Sequence, residues 1–169
     1  GDTLRTYFTY SSDFLHTSSS DPVNQQINLL LDNNIIAAPV EVIKTQKIPG
    51  SAEVVTEADL FFYENNKLKK NLKITEDISF SGFAAAYNNS TGFYYDSRYQ
   101  LESEIELFDA NKNPTQIKLK DKTQSLIWDK DNIQAAVINA GAANIAATSF
   151  ETTEKGNWNY SGTVVVDNT

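Results

Sequence analysis

The 169-residue chain is 40% hydrophobic, enough to bury one core, and its 22 acidic against 14 basic side chains give a formal net charge of -8. That charge repels a phosphate backbone and argues against nucleic acid as a partner, while the absence of cysteine excludes disulfides, thiolate metal sites and thiol nucleophiles. No apolar run approaches the roughly 20 residues that span a bilayer, so membrane insertion is not expected.

Short β-type runs separated by polar turns dominate the chain. "TLRTYFTY" (3–10) alternates Leu4, Thr6, Phe8 and Tyr10 against Thr3, Arg5, Tyr7 and Thr9, the pattern of a strand with one more apolar face. "DPVNQQINLLLDNN" predicts a helix near 22–33: Asp21 can cap it, Pro22 suits its first position, Val23, Ile27, Leu30 and Leu31 share a face, and Asn33 and Asn34 end it. "APVEVIKTQKI", "AEVVTEADLFFYE" and "KLKKNLKIT" then read as three strands joined by turns at "PGS" and "NN", an antiparallel meander. "YNNSTGFYYDSRY" carries a polar turn into an aromatic run, and "LESEIELF", "TQIKLK" and "TQSLIWD" are further strands. "NIQAAVINAGAANIAATSFE" fits a strand, then a turn or short helix, then a strand. "TTEKGNWNYSGTVVVDNT" changes character and places a boundary near Glu151.

In "ELFDANKNPTQIKL" the residues Asp109, Asn111 and Asn113 alternate as calcium ligands would. An EF-type loop also needs glycine at its sixth position and a bidentate glutamate at its twelfth, where this chain has Pro114 and Lys120. Asp and Asn equally suit a strand connection, because they hydrogen-bond nearby amides and tolerate left-handed backbone. "FDANKN" is therefore read as a hairpin loop.

The longer stretch "ELFDANKNPTQIKLKDKTQSLIWDKDN" resembles a YD repeat of the RHS type, with Phe108 and Asp109 in place of Tyr-Asp, and Lys112 and Asn113 in place of Gly-Asn. "NNIIAAPVEVIK", "LIWDKDNIQAAVINA" and "ATSFETTEKGNW" are similar, in this order, to units of large RHS-like surface proteins of the Bacteroidetes. Lysine replaces the usual glycine at 112, and the aromatic and proline that tend to follow the tryptophan are missing. The resemblance implies the β architecture of a shell or stalk and carries no catalytic group.

Candidate chemistry is sparse. His16, the sole histidine, sits in "DFLHTSSSD" beside serines and Asp21, but a hydrolytic triad is assembled in space and not by sequence proximity. No spacing singles out a glycosidase pair among the 22 acids, and one histidine without cysteine argues against zinc. Glycine-rich phosphate loops are missing, so no cofactor is expected.

The aromatics are the remaining resource. Tyr87, Phe93, Tyr94, Tyr95, Tyr99, Trp128, Trp158 and Tyr160 could offer flat surfaces to sugar rings while Asn, Asp or Arg98 bind hydroxyls, although strands favour aromatics for packing in any case. "FYYDSRY" and "GNWNYSG" are the densest stretches, and "SFE" followed by Trp158 resembles the opening of jelly-roll carbohydrate-binding modules. The candidate ligand residues are thus Tyr94, Tyr95, Arg98, Tyr99 and Trp158, with no catalytic and no metal residue named.

The sequence reading is a mainly β protein, an antiparallel sheet or sandwich in a YD-repeat-like meander with one short helix. Residues 1–150 form the β domain, and 151–169 form terminal strands or the start of a following module. The expected role is a non-catalytic structural or interaction segment of a secreted or cell-surface protein, with a carbohydrate-binding or adhesive module as the alternative. Expected partners are neighbouring repeats, polysaccharide, and a second copy through an open sheet edge. Because residue 1 is Gly, the chain is read as an excised fragment or processed product, with room for an export signal upstream.

Overall fold

The computed structural model describes residues 1–128, together with the backbone of residues 134–140, 151–152 and 158–159. The chain divides into two compact units, Gly1–Glu102 and Ser103–Thr169. The expected mainly β, antiparallel fold with one short helix is found. The boundary expected near Glu151 lies where only two short strands are described, and the rest of "NAGAANIAATSFE" before it and of "TTEKGNWNYSGTVVVDNT" lies outside the described residues.

In the first unit, β1 (Thr3–Tyr10), β2 (Pro39–Lys47), β3 (Val54–Glu64) and β4 (Lys67–Ile74) form a sheet in sequence order, each pair antiparallel. β5 (Ile78–Ser79) pairs with the start of β3. The β3–β4 hairpin turns at Asn65 and Asn66, both with positive φ (50° and 65°), as a two-residue primed turn requires. α1 (Pro22–Asp32) starts where Asp21 accepts hydrogen bonds from the N–H groups of Val23 and Asn24, at 3.0 Å each. Its Asn33 cap and the left-handed Asn34 end it, as the sequence predicts.

Directly opposed residues share a sheet face, so register assigns the faces. Glu41, Ile43, Ala58, Leu60, Leu72 and Ile74 fall on one face and are all buried. With Phe14, Ile27 of α1, Val40, Val55, Ile78 and Tyr99 they make the core, and Val23, Leu31, Phe62, Phe83 and Phe93 pack at its margin. A register shift between Thr9 and Tyr10 leaves Val40 as an extra residue in β2, which is how both Val40 and Glu41 come to be buried. The opposite face is polar at its centre, where Glu57 holds Lys44 and Lys73. Register puts Arg5, Tyr7 and Thr9 on the core side of β1, while the more apolar set of Leu4, Phe8 and Tyr10 lies on the exposed side.

Three connecting elements complete this unit: β6 (Tyr87–Asn88), β7 (Phe93–Tyr94), which pair as a small hairpin, and the first residues of β8 (Gln100–Phe108). In the second unit, β8 from Ser103 onward pairs with β9 (Pro114–Leu119), β9 with β10 (Thr123–Trp128), and β10 with β11 (Gln134–Ala140), again a meander. β12 (Glu151–Thr152) and β13 (Trp158–Asn159) pair with each other.

"FDANKN" is the hairpin loop between β8 and β9. The Asp109 carboxylate accepts the Asn113 N–H at 2.8 Å and its side-chain amide at 3.3 Å, and the Lys112 N–H donates to the Asp109 carbonyl. Lys112 has φ of 64°, the left-handed conformation for which glycine is favoured, and it stands where a YD repeat carries glycine. Lys112→Gly is expected to stabilise the second unit by about 1 kcal/mol. Urea denaturation followed by tryptophan fluorescence checks this, since Trp128 and Trp158 both belong to that unit.

Candidate functional site

The segment 83–99 carries four of the five candidate residues, and three asparagines hold it and the neighbouring 14–20 loop to α1. Asn88 acts as a surrogate strand: its Oδ1 accepts the Leu15 N–H at 3.0 Å and its Nδ2 donates to the Leu15 carbonyl at 2.8 Å and to Asn24 Oδ1 at 3.1 Å. Asn24, fully buried on α1, donates in turn to the Asn89 carbonyl at 3.1 Å. Asn28 repeats the device one turn along, accepting from the Thr17 N–H and donating to the Thr17 carbonyl. Buried amides of this kind are stable only when both ends are satisfied.

The β6–β7 turn is local chemistry. Asn89 Oδ1 accepts from the N–H groups of Thr91 and Gly92 and from the Thr91 hydroxyl, and the Asn89 N–H closes on the Gly92 carbonyl at 3.0 Å. Register then puts Tyr87 opposite Tyr94 on the outer side and Asn88 opposite Phe93 on the inner side. The rings of Tyr87 and Tyr94 stack with centroids 5.1 Å apart and planes 19° apart. The Tyr94 hydroxyl lies 2.8 Å from the Thr91 hydroxyl, and its ring lies over Gly92. Tyr87 is the more exposed of the pair, at 54%.

Of the other candidates only Tyr99 is drawn fully inward. Tyr95 packs edge-on against Phe62 and Tyr99 and tilts against Phe93, all within about 6 Å between centroids, leaving it partly exposed. Tyr99 is buried, and its hydroxyl donates to Glu41 Oε1 at 2.9 Å. Arg98 is committed to the turn: its Nε and Nη2 donate to the two Asp96 carboxylate oxygens at 2.8 and 2.6 Å, and Nη2 also donates to the Gly82 carbonyl at 2.7 Å. The Trp158 side chain lies outside the described residues, although its backbone belongs to β13. Tyr94, Tyr95, Arg98 and Tyr99 are thus neighbours in sequence with separate tasks. Tyr94 joins Tyr87 at the surface, Tyr95 packs on Phe62 and Phe93 while staying as exposed as Tyr94, Tyr99 belongs to the core, and Arg98 latches a loop.

Two ionisable groups that sequence reasoning passed over organise this region. Glu41 has no exposed surface; its Oε2 accepts the Ala86 N–H at 2.9 Å and its Oε1 accepts from Tyr99. Burial pushes its carboxyl up from the ordinary glutamate range, against the pull of these two hydrogen bonds. The nearby Glu41 charge and burial also hold the Tyr99 hydroxyl protonated, with burial the larger cause. Asp96 shows the opposite behaviour. The Arg98 hydrogen bonds hold it well below the usual carboxylate range, assisted by the N–H groups of Ala84 and Arg98. Signals for both were present: Glu41 shares strand parity with Ile43, and Asp96 and Arg98 stand two apart.

Perturbed carboxyls attract attention as catalytic candidates, yet a working acid or base must reach its substrate. Glu41 has both oxygens engaged and no exposed surface. His16 is exposed, with its Nε2 3.2 Å from Asp32 Oδ1 on α1. Among the described residues no group of three or more His, Cys, Asp and Glu side chains is placed to hold a metal ion. A small depression with about 10 Å³ of free space lies between α1 and the end of β3, lined by Val23, Gln26, Ile27, Val40 and the 61–63 stretch. It is smaller than the roughly 300–1,000 Å³ typical of small-molecule sites. No helix among the described residues is long and apolar enough to cross a membrane.

Comparison of the chain with protein-family models, with curated protein sequences and with solved structures finds no match.

Proposed function

We propose that this chain is a non-catalytic structural segment of a large RHS-like secreted or cell-surface protein, extending a sheet and joining neighbouring modules. One observation carries the reading. Two of the polar groups that the sequence offered for chemistry are occupied in holding the fold together: Tyr99 on Glu41, and Arg98 on Asp96 and the Gly82 carbonyl. Among the described residues, what the first unit leaves open is a strand edge, the outer side of β1, which suits a part whose work is to pair with other β structure.

A second reading, a carbohydrate-binding or adhesive module, is favoured by the Tyr87–Tyr94 stack alone. Its outward ring surface is the kind on which a pyranose packs. A glycan array probed with the labelled 169-residue chain separates the two. The scaffold reading expects no retained polysaccharide. Retention that disappears in a Tyr87→Ala, Tyr94→Ala double variant with unchanged thermal stability would replace it with the binding reading.

A further inference from the structure

β1 closes one side of the first unit's sheet: it pairs with β2, and among the described residues no strand pairs with its other edge. Tyr10 reveals which backbone groups face outward. Its N–H donates to Asp13 Oδ2 at 2.7 Å and so points away from β2. Backbone direction alternates along a strand, and the irregularity in this pair adds its extra residue to β2, so the alternation in β1 is unbroken. Phe8, Thr6 and Leu4 therefore direct N–H and C=O outward as well.

Sheets ordinarily protect such an edge with lysine, proline, a bulge or a covering element. Over Thr3–Tyr10 there is no proline, glycine or lysine, and the one charge, Arg5, is held by Glu53 at 2.9 Å. Leu4 and Phe8 are 75% and 55% exposed on the solvent face of the same strand.

We propose that β1 is a self-pairing strand, joining two copies of this chain antiparallel along their outer β1 edges with Thr6 opposite Thr6 on the twofold axis. The inference rests on the scaffold reading and names one partner for its open edge. The strand is complementary to itself about Thr6. Leu4 meets Phe8 twice on the solvent face, and Arg5 meets Tyr7 twice on the other. The outward residues Leu4, Thr6 and Phe8 then exchange about six backbone hydrogen bonds. Centring the axis between residues would oppose outward to inward residues and break the ladder. Centring it on Tyr7 would set Phe8 against Thr6.

One strand pair buries an area at the small end of the interface range, where weak association is the rule, so a dissociation constant on the order of 0.1–1 mM is expected. Sedimentation velocity of the full chain between about 10 µM and 1 mM tests this. The expected result is a concentration-dependent shift from monomer to dimer. Added salt should strengthen it, because two copies of charge -8 repel each other. Thr6→Pro removes an outward N–H, which an edge strand tolerates, so it should leave the unfolding midpoint of the monomer in place and weaken dimerisation at least about tenfold. A Leu4→Glu, Phe8→Glu variant and a Leu4→Lys, Phe8→Lys variant should each be monomeric and form a heterodimer when mixed. A strict monomer at about 1 mM in high salt overturns the proposal, as does a dimer that Thr6→Pro leaves intact. Neither result bears on the scaffold reading, which the glycan array decides.

Discussion

Glu41→Ala is expected to cost about 3–4 kcal/mol of folding stability, measured by urea denaturation followed by far-UV circular dichroism. Glu41 is wholly buried, and its two oxygens satisfy the Tyr99 hydroxyl and the Ala86 N–H. Alanine would leave both donors without an acceptor in the core, at about 1–3 kcal/mol each, and would add a cavity, partly offset by removing a carboxyl that burial disfavours. Glu41→Gln keeps an acceptor and the volume, so it should cost much less, and it exposes the pH dependence. Because burial raises the folded-state value of Glu41, the folded protein holds this proton more tightly than the unfolded chain. The associated stability is complete below the unfolded value near ~4.3 and is lost as pH rises through the folded value. Glu41→Gln should therefore gain on the natural protein as pH increases from about 4 upward. A pH-independent difference between them would mean that Glu41 does not titrate in this way.

Asp96→Ala should cost about 2–3 kcal/mol, because the N–H groups of Ala84 and Arg98 lose their acceptor at a nearly buried position. The Arg98 guanidinium adds little to that figure, since it can turn back into water. Here the sign of the pH effect reverses. Asp96 is held low in the folded state, so its contribution is present above its unfolded value near ~3.9 and disappears as pH falls below it. Asp96→Asn should make the acid side of the stability profile less steep and leave the alkaline side to Glu41. Thermal unfolding of the natural protein should then peak in mildly acidic buffer, with Glu41→Gln reducing the alkaline flank and Asp96→Asn reducing the acid flank that Glu53 and Glu57, also held low, share. Persistence of the full acid flank in Asp96→Asn would assign it to other carboxylates.

The elements decided by near neighbours were legible. Asp21 and Pro22 start α1, the two asparagines at 65 and 66 turn the β3–β4 hairpin, and Asp109 closes the 109–113 loop, each through bonds spanning a few residues. The candidate site was legible only as residue types. Tyr94, Tyr95, Arg98 and Tyr99 were visible as a dense aromatic and basic run, but their division between surface and core depends on partners far away in the chain. Tyr99 meets Glu41 across 58 positions and Arg98 meets Gly82 across 16. Alternation also marked Leu4, Phe8 and Tyr10 as the more apolar face of β1. It could not say that this face turns outward, because a strand's inner side is chosen by the register of its neighbour.

The sequence by itself determined that this protein is an antiparallel β meander with one capped helix, since alternation, turn residues and caps act within a few residues of each other. The tertiary structure alone decided that Glu41 and Asp96 are buried keystones, that Tyr87 is the partner of Tyr94, and that β1 is left, among the described residues, with an open edge. Those outcomes follow from which strands meet and in what register, and they are settled by the burial of the whole core at once.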